Sequence, residues 1–557
     1  MKYKNPIIPG FYPDPSICRA GEDYYLVNSS FEFFPGVPLF HSRDLVNWEQ
    51  LGYVLTRKSQ LDLTECRTSG GIYAPTLRCH NGRFYMVTTN VSHGGNFYVW
   101  TDDIRGEWSD PVFVKQGGID PSLFWDEDGT VYFQSTHSDG AGSQCIGQCT
   151  IDIETGEMLT PTRPIWYGTG GKCPEGPHLY KIGGYYYLMI AEGGTEYGHM
   201  ETIARSCSPW GPFESCPGNP ILTHRDVNPR FGEFQALGHG DLTTDTAGNW
   251  WIVFHAIRPS QFMLHHIGRE TMIAPVTFDG DGWPVVNHGR PITQEMEGPG
   301  CAESGKDGFA RQNSFFQEED FTAESALSCK WACLRNPETG STALENGLVL
   351  TAGENGLESA GAPAFIGRRQ QHFEAAAETL LDFCPDAEQA EAGITVFHTR
   401  EHHYDLLLTR REGRRAAVLR RRVCDLLVES APVFLPEEGK LRLRVEASRL
   451  QYRFFAGPED GGLSPAGEGC TQLLSTECMN CTFPAVYGLF CQERRGQVGL
   501  NVFLSAGIRL VQRPFTEGRY SQAFRHDKKA VPAHRHSGFA GTAFSFRDRG
   551  FYSCGGG

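Results

Sequence analysis

The stretch Asp14-Pro15-Ser16-Ile17 stands near the start of the chain, and the same frame returns four more times. Each copy is followed by a glycine at a turn and then by a hydrophobic, aromatic-rich run, such as Tyr24-Tyr25-Leu26-Val27. The other four copies are Ala74-Pro75-Thr76-Leu77, Asp120-Pro121-Ser122-Leu123, Gly176-Pro177-His178-Leu179 and His239-Gly240-Asp241-Leu242. Strand-turn-strand units repeating at about this spacing are typical of stacked blades. The sequence therefore predicts an all-β fold that begins with a five-bladed β-propeller.

The remaining length calls for a second domain, because 557 residues exceed what a single hydrophobic core usually serves. Short alternating segments such as Leu441–Val445 predict strands with one wet face, and many of them in succession predict a β-sandwich. We expect the propeller at residues 1–295, a Gly- and Ser-containing linker at 296–312, the sandwich at 313–512 and an irregular tail at 513–557.

Bulk properties restrict the partners. The formal net charge of −16 argues against nucleic acid, because phosphate binding needs a concentrated positive field, whereas neutral sugars stay compatible. No run is apolar and long enough to cross a bilayer, and the N-terminus does not resemble a signal peptide, so a cytoplasmic location without a membrane partner is expected. In that compartment the eighteen cysteines are expected to be reduced.

The residues at the heads of the repeats differ in chemistry although their frames match. Asp14 and Asp120 head the first and third units, and Glu175 stands one residue before the fourth. In a propeller the heads of the inner strands open into one funnel, so these acids should share a cavity. Asp before Pro often does no more than cap a turn, which is the plain alternative for either aspartate alone. Gathered like charges repel, so registered repetition of acids favours a functional reason.

Carboxyl groups on two sides of a sugar ring are the minimum for glycoside hydrolysis, since one protonates the leaving oxygen and the other activates water or attacks. A third acid can raise the pKa of the donor and keep it protonated near neutral pH. Phe31 and Tyr73 suit the apolar face of a sugar ring. Arg269 offers a fixed fork of donors for sugar hydroxyls or for a neighbouring carboxylate.

Several of these segments together resemble glycoside hydrolase family 43, and most closely its two-domain β-xylosidases and α-L-arabinofuranosidases. The resemblance is strong over roughly residues 5–295 and weaker over the next two hundred. It is carried by Asn5-Pro6-Ile7-Ile8-Pro9-Gly10-Phe11-Tyr12-Pro13-Asp14-Pro15-Ser16, Phe31-Glu32-Phe33-Phe34-Pro35-Gly36-Val37-Pro38, Ile119-Asp120-Pro121-Ser122-Leu123 and Glu175-Gly176-Pro177-His178-Leu179-Tyr180. It implies a five-bladed propeller, a lectin-like sandwich and hydrolysis with inversion at the anomeric carbon.

By the same resemblance, Asp14 would be the general base, Glu175 the general acid, and Asp120 the acid that tunes Glu175 and orients the sugar. In an inverting site Asp14 and Glu175 would stand about 6.5–9.5 Å apart, leaving room for water. The residues implied to line the single sugar subsite are Phe31, Tyr73, Ala74, Thr195, His239 and Arg269. Relatives often form dimers or tetramers, so the resemblance also admits a homo-oligomer.

Two of these residues keep plainer alternatives. His239 could be a hydrogen-bonded core histidine, and Arg269 could form a structural ion pair. In some relatives a calcium ion on the propeller axis is held by water and a histidine at the place of His239. One histidine plus waters is a weak ligand set for calcium, so no cofactor is expected to be required and a structural calcium stays an option.

The predicted function is that of an exo-acting, inverting glycoside hydrolase that releases single xylose or arabinofuranose units from short oligosaccharides. One alternative is a retaining fructosidase on the same fold, but those enzymes rely on an Arg-Asp-Pro segment where this chain has Ile119-Asp120-Pro121. The other alternative is a carbohydrate-binding propeller without activity, which retention of all three acids disfavours. The sequence does not rank xylose against arabinofuranose.

Overall fold

The first part of the chain forms a propeller of antiparallel sheets that follow one another in sequence. The computed structural model describes residues 1–228, 232–261, 263–300, 316–322, 325–479, 486–493 and 501–513. Its propeller strands, sheet by sheet, are Ser16–Ala20, Asp23–Val27, Gly36–Ser42 and Glu49–Leu55; Thr76–His80, Arg83–Asn90, Gly95–Thr101 and Val112–Phe113; Ser122–Trp125, Val131–Ser138, Gln144–Ile151 and Arg163–Trp166; Glu175–Ile182, Tyr185–Glu192, Met200–Ser206, Glu214–Ser215 and Leu222–Thr223; and Gln235–Thr244, Trp250–Ile257, Arg269–Phe278 and Pro284–Val286.

These sheets close into a ring around their first strands. The first strand of each sheet contacts the first strand of the next, and Gln235–Thr244 of the fifth sheet contacts Ser16–Ala20 of the first. A short strand at the N-terminus, Lys2–Lys4, pairs antiparallel with Glu295–Glu297 after the fifth sheet. The chain thus returns to its own start where the propeller ends, and the predicted propeller architecture is confirmed.

A buried ion pair ties the inner strands together at the centre of the ring. Arg78 of the second sheet donates two hydrogen bonds to Asp241 of the fifth, at 2.7 and 3.1 Å. The same carboxylate accepts hydrogen bonds from the hydroxyls of Ser16 in the first sheet and Tyr180 in the fourth, both at 2.6 Å. One fully buried carboxylate therefore joins strands from four sheets.

The second part of the chain is a β-sandwich, as predicted. In spatial order its first sheet contains Thr342–Leu344, Leu348–Thr351, Asn501–Arg513, Glu374–Asp382, Leu441–Ala447, Gln451–Pro458 and Ser464–Cys470, with Phe316–Glu318 beside Asn501–Arg513. Its second sheet contains Ala364–Arg369, Val486–Glu493, Ala390–Thr399, His402–Arg411, Arg414–Val423 and Leu426–Glu429, with Val433–Phe434 beside Arg414–Val423. The inner faces of both sheets supply one hydrophobic core, which includes Ile394, Leu406, Leu443 and Phe454.

The propeller and the sandwich share a further hydrophobic cluster, which we call the seam cluster. From the propeller it contains Phe11, Phe31 and Phe33, and from the sandwich Ala332, Leu334, Leu357, Phe365, Phe397, Leu407, Val418, Val486 and Phe490. Backbone pairing crosses the same seam, because Phe33–Phe34 pairs antiparallel with Cys333–Leu334. The two domains therefore meet through a continuous core and a shared two-stranded sheet.

The predicted domain borders fall partly outside the described residues. Most of the predicted linker, residues 301–312, and all but the first residue of the predicted tail, 514–557, lie there. The strand Glu295–Glu297 runs across the predicted start of the linker at residue 296. The described helices are a short α-helix at Thr476–Met479 and 3-10 turns at Asn287–Gly289 and Thr471–Leu474. Within the described ranges, no helix has the length and apolar character needed to cross a membrane.

The central ion pair gives a test of how the ring is held. In Arg78→Met the Asp241 carboxylate stays buried without its cation, so we expect the free energy of unfolding to fall by about 3–5 kcal/mol in urea titrations. Arg83→Met is the matched control, since Arg83 lies on the same hairpin and its partner Asp102 is exposed. That control should have little effect, because exposed ion pairs contribute little to stability. Equal losses in both variants would contradict a central role for Arg78.

Candidate active site

The heads of the repeats meet at one end of the ring, as the sequence predicts. Asp14, Ala74 and Asp120 each stand two residues before an inner strand, and Glu175 is the first residue of the fourth inner strand. Asp14, Asp120, Gly176 and His239 all have φ between 53° and 58°. This left-handed conformation is uncommon for residues other than glycine, and such strain collects at functional sites. Four of the five repeat heads thus share one unusual backbone shape.

Asp14 is buried among donors. The residue is 5% exposed, and its side chain accepts hydrogen bonds from Nη1 of Arg269 and, at 2.6 Å, from the Ser29 hydroxyl. Nδ1 of His255 lies 3.0 Å from its Oδ1, and Nδ1 of His239 lies 3.9 Å from the same atom. Although burial alone would raise it, Arg269 and His255 bring the pKa of Asp14 well below its usual value. Asp14 is therefore ionised near neutral pH.

Three buried histidines cluster here without adding charge, and two of them, His255 and His239, lie beside the Asp14 carboxylate. His255 and His199 are stacked, with ring centroids 4.9 Å apart, and Nε2 of His255 lies 3.2 Å from Nδ1 of His199. Burial lowers the pKa of His255 to about 3, and it also lowers the pKa values of His199 and His239. All three rings are neutral near pH 7, so Arg269 supplies the positive charge beside Asp14.

Asp120 and Glu175 form a pair that holds a proton. The backbone N–H of Gly176 donates to Oδ2 of Asp120 at 3.3 Å, which anchors Asp120 to the residue after Glu175. Burial, together with the charges of Glu175 and Asp14, raises the pKa of Asp120 well above its usual value. Burial and the charge of Asp14 raise the pKa of Glu175 to about 7, against the opposing effect of Arg269. Close carboxyl groups titrate together, so near neutral pH this pair keeps a proton beside ionised Asp14.

Aromatic rings form a wall beside the acids. Phe31 and Tyr73 meet edge to face, with centroids 5.5 Å apart, and the guanidinium of Arg269 lies 5.7 Å from the Phe31 ring centre. Tyr73 is also close enough to Asp120 and Arg269 for their charges to influence its pKa, which burial raises. Ala74 is buried next to Tyr73. Four of the predicted lining residues are therefore grouped with the acids or with each other.

The last two predicted lining residues differ in their placement. His239 packs over Gly176, where an added Cβ would lie 3.0 Å from the imidazole Nε2, so this position needs glycine. Thr195 is exposed on a loop beside Lys172 and Cys173, the segment that precedes Glu175. Among the described residues, the hydrogen-bond partners of the acids do not include Thr195, so its part in the subsite stays a prediction. The 6.5–9.5 Å spacing of Asp14 and Glu175 likewise stays a prediction.

Sequence reasoning missed two partners of Asp14. Ser29 follows the aromatic run of the first repeat, and His255 ends the run Trp250-Trp251-Ile252-Val253-Phe254 of the fifth. Their one signal is a polar residue that follows an apolar run, within its strand for His255 and just beyond it for Ser29. That signal is weak, because polar residues commonly end strands.

The chemistry of these donors does not fit a calcium ion. Calcium takes six to eight oxygen ligands, whereas His239 is surrounded by other imidazoles and by Asp14, whose oxygens already accept from Arg269 and Ser29. Among the described residues, no group of three or more His, Cys, Asp or Glu side chains is arranged to hold a metal. We therefore derive no catalytic step through calcium.

A sequence profile described as "Glycosyl hydrolases family 43" matches residues 3–284 of the chain. The chain belongs to this family. A second profile, "Beta xylosidase C-terminal Concanavalin A-like domain", matches residues 318–501 and confirms the predicted lectin-like sandwich. The family 43 assignment also makes the chain a glycosidase.

Two similar proteins and two solved structures cover most of this family 43 chain. A non-reducing end α-L-arabinofuranosidase of Bacteroides ovatus is 42% identical over 81% of this chain and 84% of its own length. A β-xylosidase of Bacillus subtilis is 36% identical over 83% and 90%. A structure titled "Bacteroides ovatus Xyloglucan PUL GH43B" is 38% identical, with a TM-score of 0.83 over 92% of this chain and 98% of the other. A xylan β-1,4-xylosidase from Bacillus halodurans is 32% identical, with a TM-score of 0.84 over 92% and 100%.

The coupled acids give a test by pH profile. We expect kcat/KM to fall above about pH 7, as the Asp120–Glu175 pair loses its proton. Asp120→Asn removes the carboxyl that shares a proton with Glu175, so Glu175 titrates alone and this alkaline limb moves to lower pH. Asp126→Asn, at the opposite end of the same strand, is the matched control and should leave the limb in place. An alkaline limb that does not move in Asp120→Asn would contradict the pairing.

Proposed function

We propose that this enzyme is an exo-acting, inverting glycosidase that releases single xylose or arabinofuranose units from the non-reducing ends of short oligosaccharides. The observation that carries the proposal is the opposite protonation of the two candidate catalytic groups. Asp14 is held ionised beside Arg269, whereas Glu175 has a pKa of about 7 and retains a proton. A base and an acid are thus available in one site at the same pH.

In the proposed reaction Asp14 accepts a proton from a water molecule as that water attacks the anomeric carbon. Glu175 donates its proton to the glycosidic oxygen as the bond to the leaving sugar breaks. Glu175 is only half-buried, which suits a donor that must reach substrate, whereas Asp14 and Asp120 are nearly covered. Each turnover ends with Asp14 protonated and Glu175 ionised, and exchange with solvent restores both.

Asp120 has a different proposed task. Its carboxyl accepts a hydrogen bond from the N–H of Gly176, one residue after the proposed acid, which holds it near Glu175. Repulsion between the two carboxyls opposes ionisation of both, which keeps a proton on the pair. Asp120 also remains available as an acceptor for a sugar hydroxyl.

The substrate class rests on the wall and on the relatives. Phe31 and Tyr73 offer aromatic surface beside the acids, and Arg269 lies close to the Phe31 ring. The relatives named above comprise an α-L-arabinofuranosidase acting at non-reducing ends and β-xylosidases. Xylose and arabinofuranose expose similar hydroxyl sets, and we propose activity on one or both.

Side-by-side kinetics on an aryl β-D-xyloside and an aryl α-L-arabinofuranoside test this proposal. The wild-type enzyme should hydrolyse at least one of them, and Asp14→Asn should lower kcat by about 10²- to 10⁴-fold because the general base is lost. Asp102→Asn, an exposed carboxylate at the opposite end of the second sheet, should not change kcat. Equally slow cleavage by wild type and Asp14→Asn would instead favour a binding protein without activity.

A further inference from the structure

Phe31, one of the two residues of the aromatic wall, lies in a propeller segment that pairs with the β-sandwich. We propose that the β-sandwich positions this wall through Arg335, which makes Arg335 a positioning residue for sugar binding. This segment is Phe31-Glu32-Phe33-Phe34, which we call the Phe31 strap. The inference rests on the proposed function, since it assigns to the second domain a task in the same sugar site.

Arg335 crosses the seam and binds both domains. Its backbone N–H donates to the carbonyl of Glu32 at 2.7 Å, and its Nη2 lies 3.0 Å from Oε2 of Glu32. Its Nε donates to the carbonyl of Cys66 in the propeller at 3.2 Å. Its Nη1 donates to the carbonyl of Gly361 in the sandwich at 2.7 Å. One guanidinium thus joins two propeller segments to a sandwich loop.

The ion pair between Arg335 and Glu32 is nearly dry. The two side chains are 2% and 1% exposed, and Arg335 has φ of 59°, a left-handed turn directly after the strand Cys333–Leu334. Burial raises the pKa of Glu32 to about 7 even beside this arginine. A buried pair of this kind is weak evidence for net stability but a strong constraint on geometry. Because Glu32 lies inside the Phe31 strap, we assign to this ion pair the task of orienting the strap.

Backbone hydrogen bonds connect the Phe31 strap to the sandwich on one side and to the aromatic wall on the other. On one side Phe33–Phe34 pairs with the sandwich strand Cys333–Leu334. On the other side Phe31 and Ile72 exchange two backbone hydrogen bonds, at 2.8 and 3.1 Å, and Ile72 precedes Tyr73. Phe31 itself has φ of 49°, a strained value for an aromatic residue that its surroundings must hold. Arg335 therefore sits at the base of a chain of contacts that ends at Phe31 and Tyr73.

If Arg335 positions the wall, removing its guanidinium should weaken sugar binding more than it slows the chemical step. The acids are anchored elsewhere, since Asp14 is held by Arg269 and Ser29, and Asp120 by Gly176. In Arg335→Met we expect KM for the aryl glycoside to rise about 3- to 10-fold, the range of one misplaced aromatic contact. We expect kcat to stay within about twofold, because base and acid keep their partners.

Arg420→Met is the matched control. Arg420 is as deeply buried as Arg335 and also pairs with a buried glutamate, Glu391, at 2.6 Å. Arg420 also pairs with Glu429, which is in the sandwich as well. The control should lower the melting temperature without raising KM, which separates general loss of stability from positioning of the wall.

Hydrogen–deuterium exchange provides a readout that does not depend on turnover. Amides of residues 31–34 and 71–74 should exchange faster in Arg335→Met than in wild type, and they should not change in Arg420→Met. Should Arg335→Met fail to fold, Glu32→Gln keeps the shape of the partner, removes its charge and should show the same KM and exchange pattern in milder form.

The outcomes are distinguishable. Unchanged KM and unchanged exchange in the folded Arg335 or Glu32 variants would overturn the positioning role, even if stability falls. Absence of wild-type turnover on both aryl glycosides would instead refute the proposed function. In that case the exchange experiment still decides whether Arg335 orders the strap.

Discussion

A buried carboxylate stays ionised only if donors replace the water that it has lost, and this requirement organises the site around Asp14. Arg269 supplies charge, and Ser29 supplies a hydroxyl, from segments far apart in sequence. The neighbouring histidines are neutral, so they fill space around Asp14 without adding a second cation. With the negative charge fixed there, the Asp120–Glu175 pair cannot also ionise fully near neutral pH. The division into one base and one acid follows from that asymmetry.

Buried arginine–carboxylate pairs recur at three levels of the molecule. Arg78 and Asp241 join inner strands at the centre of the ring, Arg269 pairs with the proposed base Asp14, and Arg335 and Glu32 cross the domain seam. In each case desolvation costs much of what the attraction returns, and we attribute to each pair a role in fixing geometry. The three pairs thus hold the ring, the site and the aromatic wall, respectively.

The repeat frame made the propeller and its acids predictable from the sequence. A strand, a turn and an aromatic run are local patterns, and heads in matching positions of a closed ring must converge. Two long-range contacts could not be predicted in this way. The contact of His255 with Asp14 spans 241 residues and that of Arg335 with Glu32 spans the domain seam, and neither has a local signature. The left-handed backbone at the repeat heads also escapes prediction, because aspartate, glycine and histidine tolerate this conformation more readily than most residues but none of them requires it.

The central claim is that Asp14 activates water while Glu175 protonates the leaving group, which requires inversion at the anomeric carbon. Proton NMR during the first minutes of hydrolysis identifies the anomer that forms before mutarotation mixes the two. From an aryl β-D-xyloside the enzyme should release α-xylose first, and from an aryl α-L-arabinofuranoside it should release the β-anomer first. First release of the anomer with the configuration of the substrate would contradict the account, because it would require a covalent glycosyl intermediate.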